Sequence, residues 1–526
     1  MAKKQLSRRW KIVICAVPVL VVLAWAGLFV WGGDPVEMRI GYDTTRIDGP
    51  LNSDGTVNYV AWLDARCAEG VTSENNAAPI FLKVFGIDNI RGVQRAGVLR
   101  RLGMTQDELD AGPRFIPWDE FHKDQDVGVE KASSDFYGQM LSWDEPVPKQ
   151  AEAWLAANDA ALDLLVSAVG RPRLYIPLVS TDEPPTVLSM SSPPDVRGSF
   201  GAAKALLIRA MMRARAGDAE AAWRDIMGVH HLGRTMAQYP SILALGLSRA
   251  IDTWASSAAS QLVLGTKFTP GQLSAMQADV EHLPPAGDLH FVADTCERFF
   301  FLDAVTMLSR GGAADWTNPK RIIKGSAFDW NVMLQDGNAI YDAKAAALLV
   351  KGFAQRKAAL PNAEKMLEDA TGAGAAARML VGRALGSAGR RWVSRQYAKI
   401  LLMLVSCNYD RQVDAEFRAE ARLRLERLSL ALAAYRAAQG RWPERLEDLS
   451  PAHLAAIPVD PFTDGPFVYR TDGTDLLLYS IGPNLRDDQG WDNETAPPGE
   501  QRQRSQAGRD DIAIRTPGWD SSSEAE

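Results

Sequence analysis

Residues 12–31, IVICAVPVLVVLAWAGLFVW, carry no charged side chain, and no other stretch limits the chain's fold as much. Twenty apolar residues rising 1.5 Å each make a helix of about 30 Å, the depth of a bilayer's hydrocarbon core. Pro18 is compatible with such a helix, because a local kink in a membrane span is re-satisfied by its surroundings. Trp10, Trp25 and Trp31 fall near the ends, where indoles favour the interface. Residues 1–11 hold Lys3, Lys4, Arg8, Arg9 and Lys11 and no acid, whereas Asp34 and Glu37 follow the run. A basic flank on the near side predicts a cytoplasmic tail, a transmembrane helix over 12–31 and an extracytoplasmic remainder, held in the cell (inner) membrane as a single-pass protein with the lipid bilayer as partner. Ala24-Trp25-Ala26 also has the small-x-small form of a signal-peptide cleavage site, which leaves cleavage as the alternative. Leu28 to Trp31 prolong the apolar run past that point and favour the anchor. No second segment is expected to reach membrane length; Ile400 to Cys407 is only eight residues.

The chain has 526 residues, enough for three or four domains. Charged residues make up 23% and hydrophobic ones 46%, a globular balance. Lys plus Arg is 58 against 65 for Asp plus Glu, a net charge of −7. Setting aside the five cations before residue 12 leaves the rest at −12. No basic excess exists to displace phosphate counterions, so nucleic acid is not an expected partner. Of four cysteines, Cys15 lies in the span; Cys67, Cys296 and Cys407 are read as small buried hydrophobes, with at most one pair bridged.

Residues 32–57, rich in Gly, Asp, Pro and Thr, read as a linker. Residues 58–188 form a first helical lobe, which includes KQAEAWLAANDAALDLLVSAVG at helical spacing. The break SMSSPPDVRGS separates it from a second lobe, 200–407. That lobe opens with a helical pair in which Gly217 suits the first helix's end and Asp218 caps the next. Thr269-Pro270-Gly271-Gln272 is a capping box with proline at the first helical position. From Val413 to Gln439, the residues Phe417, Ala421, Leu425, Leu428, Leu432 and Tyr435 form one apolar stripe that Gly440 ends. Phe467–Arg470, Leu476–Ser480 and Ile512–Arg515 read as strands, the first two joined by the turn Thr471-Asp472-Gly473-Thr474.

Three resemblances follow. Residues around Gly217-Asp218 resemble one tetratricopeptide-type helical hairpin, without a second copy. Gly217-Asp218, His230-His231 and Thr269 to Pro285 make residues 202–310 similar to an uncharacterised family of membrane-anchored envelope proteins. Tyr435, Gly440-Arg441-Trp442-Pro443, Pro458, Asp460-Pro461, Tyr469, Tyr479-Ser480, Gly482 and Asp510-Asp511-Ile512 make residues 408–516 resemble the globular part of a type II secretion major pseudopilin. The N-terminus departs from that family: it has no glycine followed by a glutamate five residues on, and its apolar stem is not contiguous with this module. Filament assembly is therefore not implied. The expected fold class is mainly α: a transmembrane helix, a multi-helix extracytoplasmic domain, a small α+β pseudopilin-like module with a short antiparallel sheet, and a disordered tail over 517–526.

The same resemblance implies calcium. In such pseudopilins the loop after the second strand folds around the ion, which takes six to eight hard oxygens. By position Ser480 supplies a backbone carbonyl, Asp487, Asp488, Asp510 and Asp511 are the carboxylates, and Asn484 is a further ligand. The alternative is a solvated acidic loop that binds nothing tightly; the insertion GEQRQRSQAG lengthens this loop beyond the family's. His230-His231 lies mid-helix and is expected in a polar core network, since adjacent histidines point about 100° apart. WDEFHKDQD, with Asp119, Glu120, His122, Asp124 and Asp126, is either a wet loop or an acid/base site. No GxSxG, HExxH or Walker motif occurs, and Gly372-Ala373-Gly374 follows a helical pattern instead of a strand, so dinucleotide binding is not expected. The function expected is an anchored scaffold or interaction protein with a protein partner in the envelope. The alternatives are an envelope hydrolase and an accessory of a secretion or pilus-like system.

Overall fold

The computed structural model describes residues 36–123 apart from 89 and 91, 149–190, 196–310, 328–360, 386–405, 408–492, 508–516 and 518–519. The proposed span, Asp124, Asp126, Cys407 and the tail from 520 lie outside these residues. What is described is mainly helical, closed by one three-stranded antiparallel sheet.

In chain order the main helices are α1 (Tyr59–Ala68), α2 (Ala78–Phe85), α3 (Gly92–Arg101), α4 (Lys149–Ser167), α5 (Val196–Arg215), α6 (Ala219–Met236), α7 (Ile242–Gly265) and α8 (Pro270–Glu281). A π-helical turn, Val292–Glu297, runs into α9 (Arg298–Ser309). There follow α10 (Trp330–Leu348), α11 (Phe353–Ala359), α12 (Gly386–Val405) and α13 (Tyr409–Gln439). The expected punctuation is present. Gly217 takes φ +86°, and the Asp218 carboxylate accepts from the Ala221 N–H at 3.0 Å. Thr269 and Gln272 exchange side-chain and backbone bonds as a full capping box. Gly440, at φ +75°, donates to the Arg436 carbonyl and ends α13.

Two hydrophobic cores lie side by side. The first gathers α2 and α4 to α8, including Phe81, Trp154, Leu206, Ile226 and Leu262. The second gathers α1, α9, α10, α12 and the sheet, including Leu63, Phe301, Leu334 and Leu478. Helix α13 belongs to both. Leu423 and Leu430 enter the first core, while Val413, Phe417, Leu425, Leu428 and Leu432 enter the second. Two apolar faces on one helix are what a central element requires, and each fully buried leucine contributes roughly 1.5–3 kcal/mol. The stripe from Phe417 to Leu432 is therefore the seam between helical body and sheet. Helix α4, continued to Gly170, has mean hydropathy 1.2 and is long and apolar enough to cross a membrane; this corrects the expectation of no second such segment. Its Trp154, Leu155, Leu162 and Leu165 are buried in the first core.

The sheet is β1 (Val468–Thr471), β2 (Leu476–Ser480) and β3 (Ile512–Arg515), with β2 central. Val468 pairs with Tyr479 and Thr471 with Leu476; Leu477 pairs with Arg515 and Ser480 with Ile512. Gly473, at φ +93°, makes the tight turn between β1 and β2. Alternation sorts β2: Leu476 and Leu478 face the second core, and Leu477 and Tyr479 join Ala513 under Trp519.

The segment read as a linker is pinned where it is described. The Arg39 N–H donates to Asn331 Oδ1 at 2.8 Å, and Asn331 donates to the Glu37 carbonyl at 2.9 Å. Asn338 donates to the Thr44 carbonyl at 2.7 Å, and Thr44 and Thr45 are buried. Two amides one helical stretch apart on α10 thus hold residues 37–45 as a strap. Cys67 and Cys296 are free thiols, and burial pushes Cys67 up to about 12.

Candidate functional site

Of the six residues singled out, Asn484, Asp488, Asp510 and Asp511 are joined in one hydrogen-bonded knot between the end of β2 and the start of β3, whereas Ser480 and Asp487 bond to other residues. Ser480 is fully buried and donates its hydroxyl to Asp460 Oδ1 at 2.9 Å. Asn484 donates its amide to Asp488 Oδ2 at 2.7 Å and to the Gly508 carbonyl at 2.8 Å. Asp488 Oδ2 also accepts from the Asp510 N–H at 3.1 Å. Asp487 accepts from the Tyr479 hydroxyl at 2.9 Å. Asp510 lies 3.1 Å from an Arg418 guanidinium nitrogen. Asp511 Oδ2 accepts from the N–H groups of Asp488 and Gly490 at 3.0 and 2.8 Å. Gly482 makes the turn possible, since at φ +66° an added Cβ would lie 2.2 Å from the Asp510 carbonyl oxygen.

Two features bear on a cation. Among the described residues no three His, Cys, Asp or Glu side chains are grouped to hold a metal ion. Asp487, Asp488 and Asp510 spend oxygens on protein donors, so calcium's six to eight ligands are not assembled by these side chains alone. Asp511 differs, for its Oδ1 is buried and accepts no hydrogen bond. Burial pushes the Asp511 carboxyl up to about 7 against the Gly490 and Asp488 N–H groups. Burial also raises Asp510, opposed by Arg418. A buried oxygen with no donor suits a proton or a bound cation.

Sequence reasoning missed the supports of the knot on α13. Arg422, 2% exposed, meets the equally buried Asp492 at 2.5 Å and donates to the Ala513 carbonyl at 2.9 Å. Asp460 orders the turn before β1 by accepting from the Phe462 N–H. The readable signal was two arginines four residues apart, Arg418 and Arg422, directly beside Phe417 and Ala421 of the apolar stripe.

The histidine pair is buried as expected. His230 Nδ1 lies 2.7 Å from Asp252 Oδ1, and its Nε2 lies 3.3 Å from Glu426 Oε2. Arg234 Nε lies 2.8 Å from Asp252 Oδ2. Burial pulls the His230 imidazolium down, but Glu426 and Asp252 outweigh it and hold it at about 9. Burial pushes the Asp252 carboxyl up, but His230 and Arg234 outweigh it and keep Asp252 below the usual carboxylate range. His231 has no such partner, and burial pushes it down to about 4. Both ring nitrogens of His230 lie close to carboxylates, which is the geometry of a buried ionic network.

The described part of WDEFHKDQD does not converge. His122 is 2% exposed, stacks on Trp118 at 3.9 Å and bonds the Trp118 carbonyl, while Asp119 and Glu120 are exposed. A cavity of about 430 Å³, unsignalled in the sequence, opens between α6, α7, α13 and the turn at Pro461. Comparison of the chain with protein-family models, with curated proteins and with solved structures finds no match.

Proposed function

We propose that this chain is a single-pass, membrane-anchored scaffold or interaction protein, with residues 12–31 in the bilayer, the N-terminus in the cytoplasm and the body outside. The observation that carries the scaffold reading is the seam along α13. The helix enters both cores and binds the terminal module through the buried Arg422–Asp492 pair. A module fixed this way presents its surface at a set place on the body, as docking of a partner requires. The anchor rests on the uncharged run after a basic flank. Protease added to sealed cells should degrade the body, and the protein should leave the membrane only in detergent; protection, or release without detergent, rejects the topology. Crosslinking in intact envelopes should then return a protein partner, and recovery of pseudopilins would place the chain with a secretion or pilus-like system.

A second reading is favoured by one atom. Calcium at the knot would meet the open Oδ1 of Asp511 and tie the β2–β3 loop down. Melting with calcium and with chelator tests it, and an unchanged midpoint rejects it.

A further inference from the structure

The cavity of about 430 Å³ is within the size range of small-molecule sites, and its charges are unevenly matched. Arg249 on α7, 7% exposed at the side chain, donates to Glu416 Oε2 at 2.8 Å and to the Gln412 carbonyl at 3.0 Å. Arg356 on α11, 15% exposed, donates to the other oxygen of the same carboxylate at 2.7 Å and to the Val350 carbonyl at 2.8 Å. One carboxylate therefore serves two guanidinium groups. Of the other lining arginines, Arg424 pairs with Glu420, and Arg234 pairs with Asp252, which also meets His230. Lys351 adds an exposed ammonium and Asp464 an exposed carboxylate, neither in an ion pair among the described residues, so five lining cations stand against four lining acids.

The surplus positive charge is costly where it stands. Burial pulls Arg249 below the ordinary guanidinium range, with Glu416 only partly opposing it. An anion entering the cavity would relieve that cost. The two guanidinium groups are already oriented, because backbone carbonyls fix each one, so little side-chain entropy is lost on binding. A guanidinium carries five N–H donors in a rigid fork, and each of these two spends only some of them on protein. The lining also includes Ala237, Ala286, Phe417 and Pro461, apolar surface that suits an organic body behind an anionic head.

We propose that this cavity binds a small organic oxyanion, a carboxylate or phosphate compound, gripped by Arg249 and Arg356 with Lys351 at the mouth. The proposal goes beyond the scaffold reading and depends on neither the membrane anchor nor calcium. Because helix α7, helix α11, the seam helix and Pro461 all line the cavity, the ligand would sit where helical body and terminal module meet.

Isothermal titration calorimetry on the full chain in detergent tests it, with inorganic phosphate and with succinate as probes at constant ionic strength. Saturable binding of at least one probe is expected, and the two arms separate phosphate from carboxylate. Lys351→Glu alters an exposed side chain and should keep the fold while weakening binding about tenfold or more, the usual size of a lost charge-assisted contact. Arg356→Gln should weaken it at least as much, and Arg356→Lys should restore part of the loss. Absence of saturable heat with both probes overturns the proposal. So does equal affinity in the parent and in Lys351→Glu and Arg356→Gln proteins whose circular dichroism is unchanged.

Discussion

Two sets of buried carboxylates are handled in opposite ways, one in the arginine and histidine networks of the helical body and one in the loop knot of the terminal module. In those networks each faces cations. Asp225, with no exposed side-chain surface, meets Arg209 at 2.7 Å and Arg213 at 2.9 Å, and Asp252 meets His230 and Arg234. In the module Asp511 faces backbone N–H groups on one oxygen and nothing on the other, with Asp487 and Asp488 adding like charge. A carboxylate opposite a cation is closed, and removing its partner strands a charge in the interior. A carboxylate opposite N–H groups and other acids is open to a proton or a metal ion. The lesson is that burial of an acid does not assign its role; the charge of its neighbours does.

That contrast can be broken by measurement, beginning where the expected effect is largest. His230→Leu leaves Glu426 buried without its only ion-pair partner among the described residues. It should cost about 3–5 kcal/mol in chemical denaturation. Next is pH. His230 is held at about 9 in the fold against about 6.5 in an unfolded chain. Because the folded value is raised, the stability it supplies is complete below about pH 6.5 and is lost as pH climbs through 9. The fall amounts to roughly 3 kcal/mol. Denaturation midpoints taken from pH 6.5 to 9 should show this decline in the parent and not in His230→Leu. A flat parent profile would mean that the network is neutral.

Smaller effects sharpen the other side. Gly482→Ala places a Cβ at 2.2 Å from the Asp510 carbonyl oxygen at positive φ and should cost about 1–3 kcal/mol. Its loss should appear as faster hydrogen exchange in the β2–β3 loop. Asp511→Asn keeps an oxygen for the Asp488 and Gly490 N–H groups and removes a like charge. In chelator its stability should change by less than about 1 kcal/mol, while any rise in midpoint with calcium should vanish. A penalty as large as that of His230→Leu would erase the distinction between the two regions.

Local signals carried far in this sequence and paired ones did not. The capping box at Thr269, the stop at Gly440 and the strand Leu476–Ser480 are each set by a few neighbouring residues, and the structure places them where spacing predicts. The loop acids were also legible, because Asp487-Asp488 and Asp510-Asp511 flank one long loop. What each contacts was not. Arg418 and Asp510 are 92 positions apart, and Arg249 and Glu416 are 167 apart, so no window of sequence shows the pairing. The double role of α13 was half visible. Its stripe from Phe417 to Leu432 predicts one buried face, whereas Leu423 and Leu430 bury a second that a 3.6-residue period alone does not announce. The strap was misread because Gly, Asp, Pro and Thr signal turns whether or not the backbone is tied to a distant helix; Asn331 and Asn338 supply that tie.

The strap sets a leash. If residues 12–31 cross a bilayer as proposed, only seven steps separate residue 32 from Arg39, which is bonded to α10. Fully drawn out they reach about 25 Å. A body so tethered cannot sweep the space around its anchor. It would hover against the lipid headgroups with α10 nearest the point of attachment, and whatever it meets must come to the membrane surface to be met.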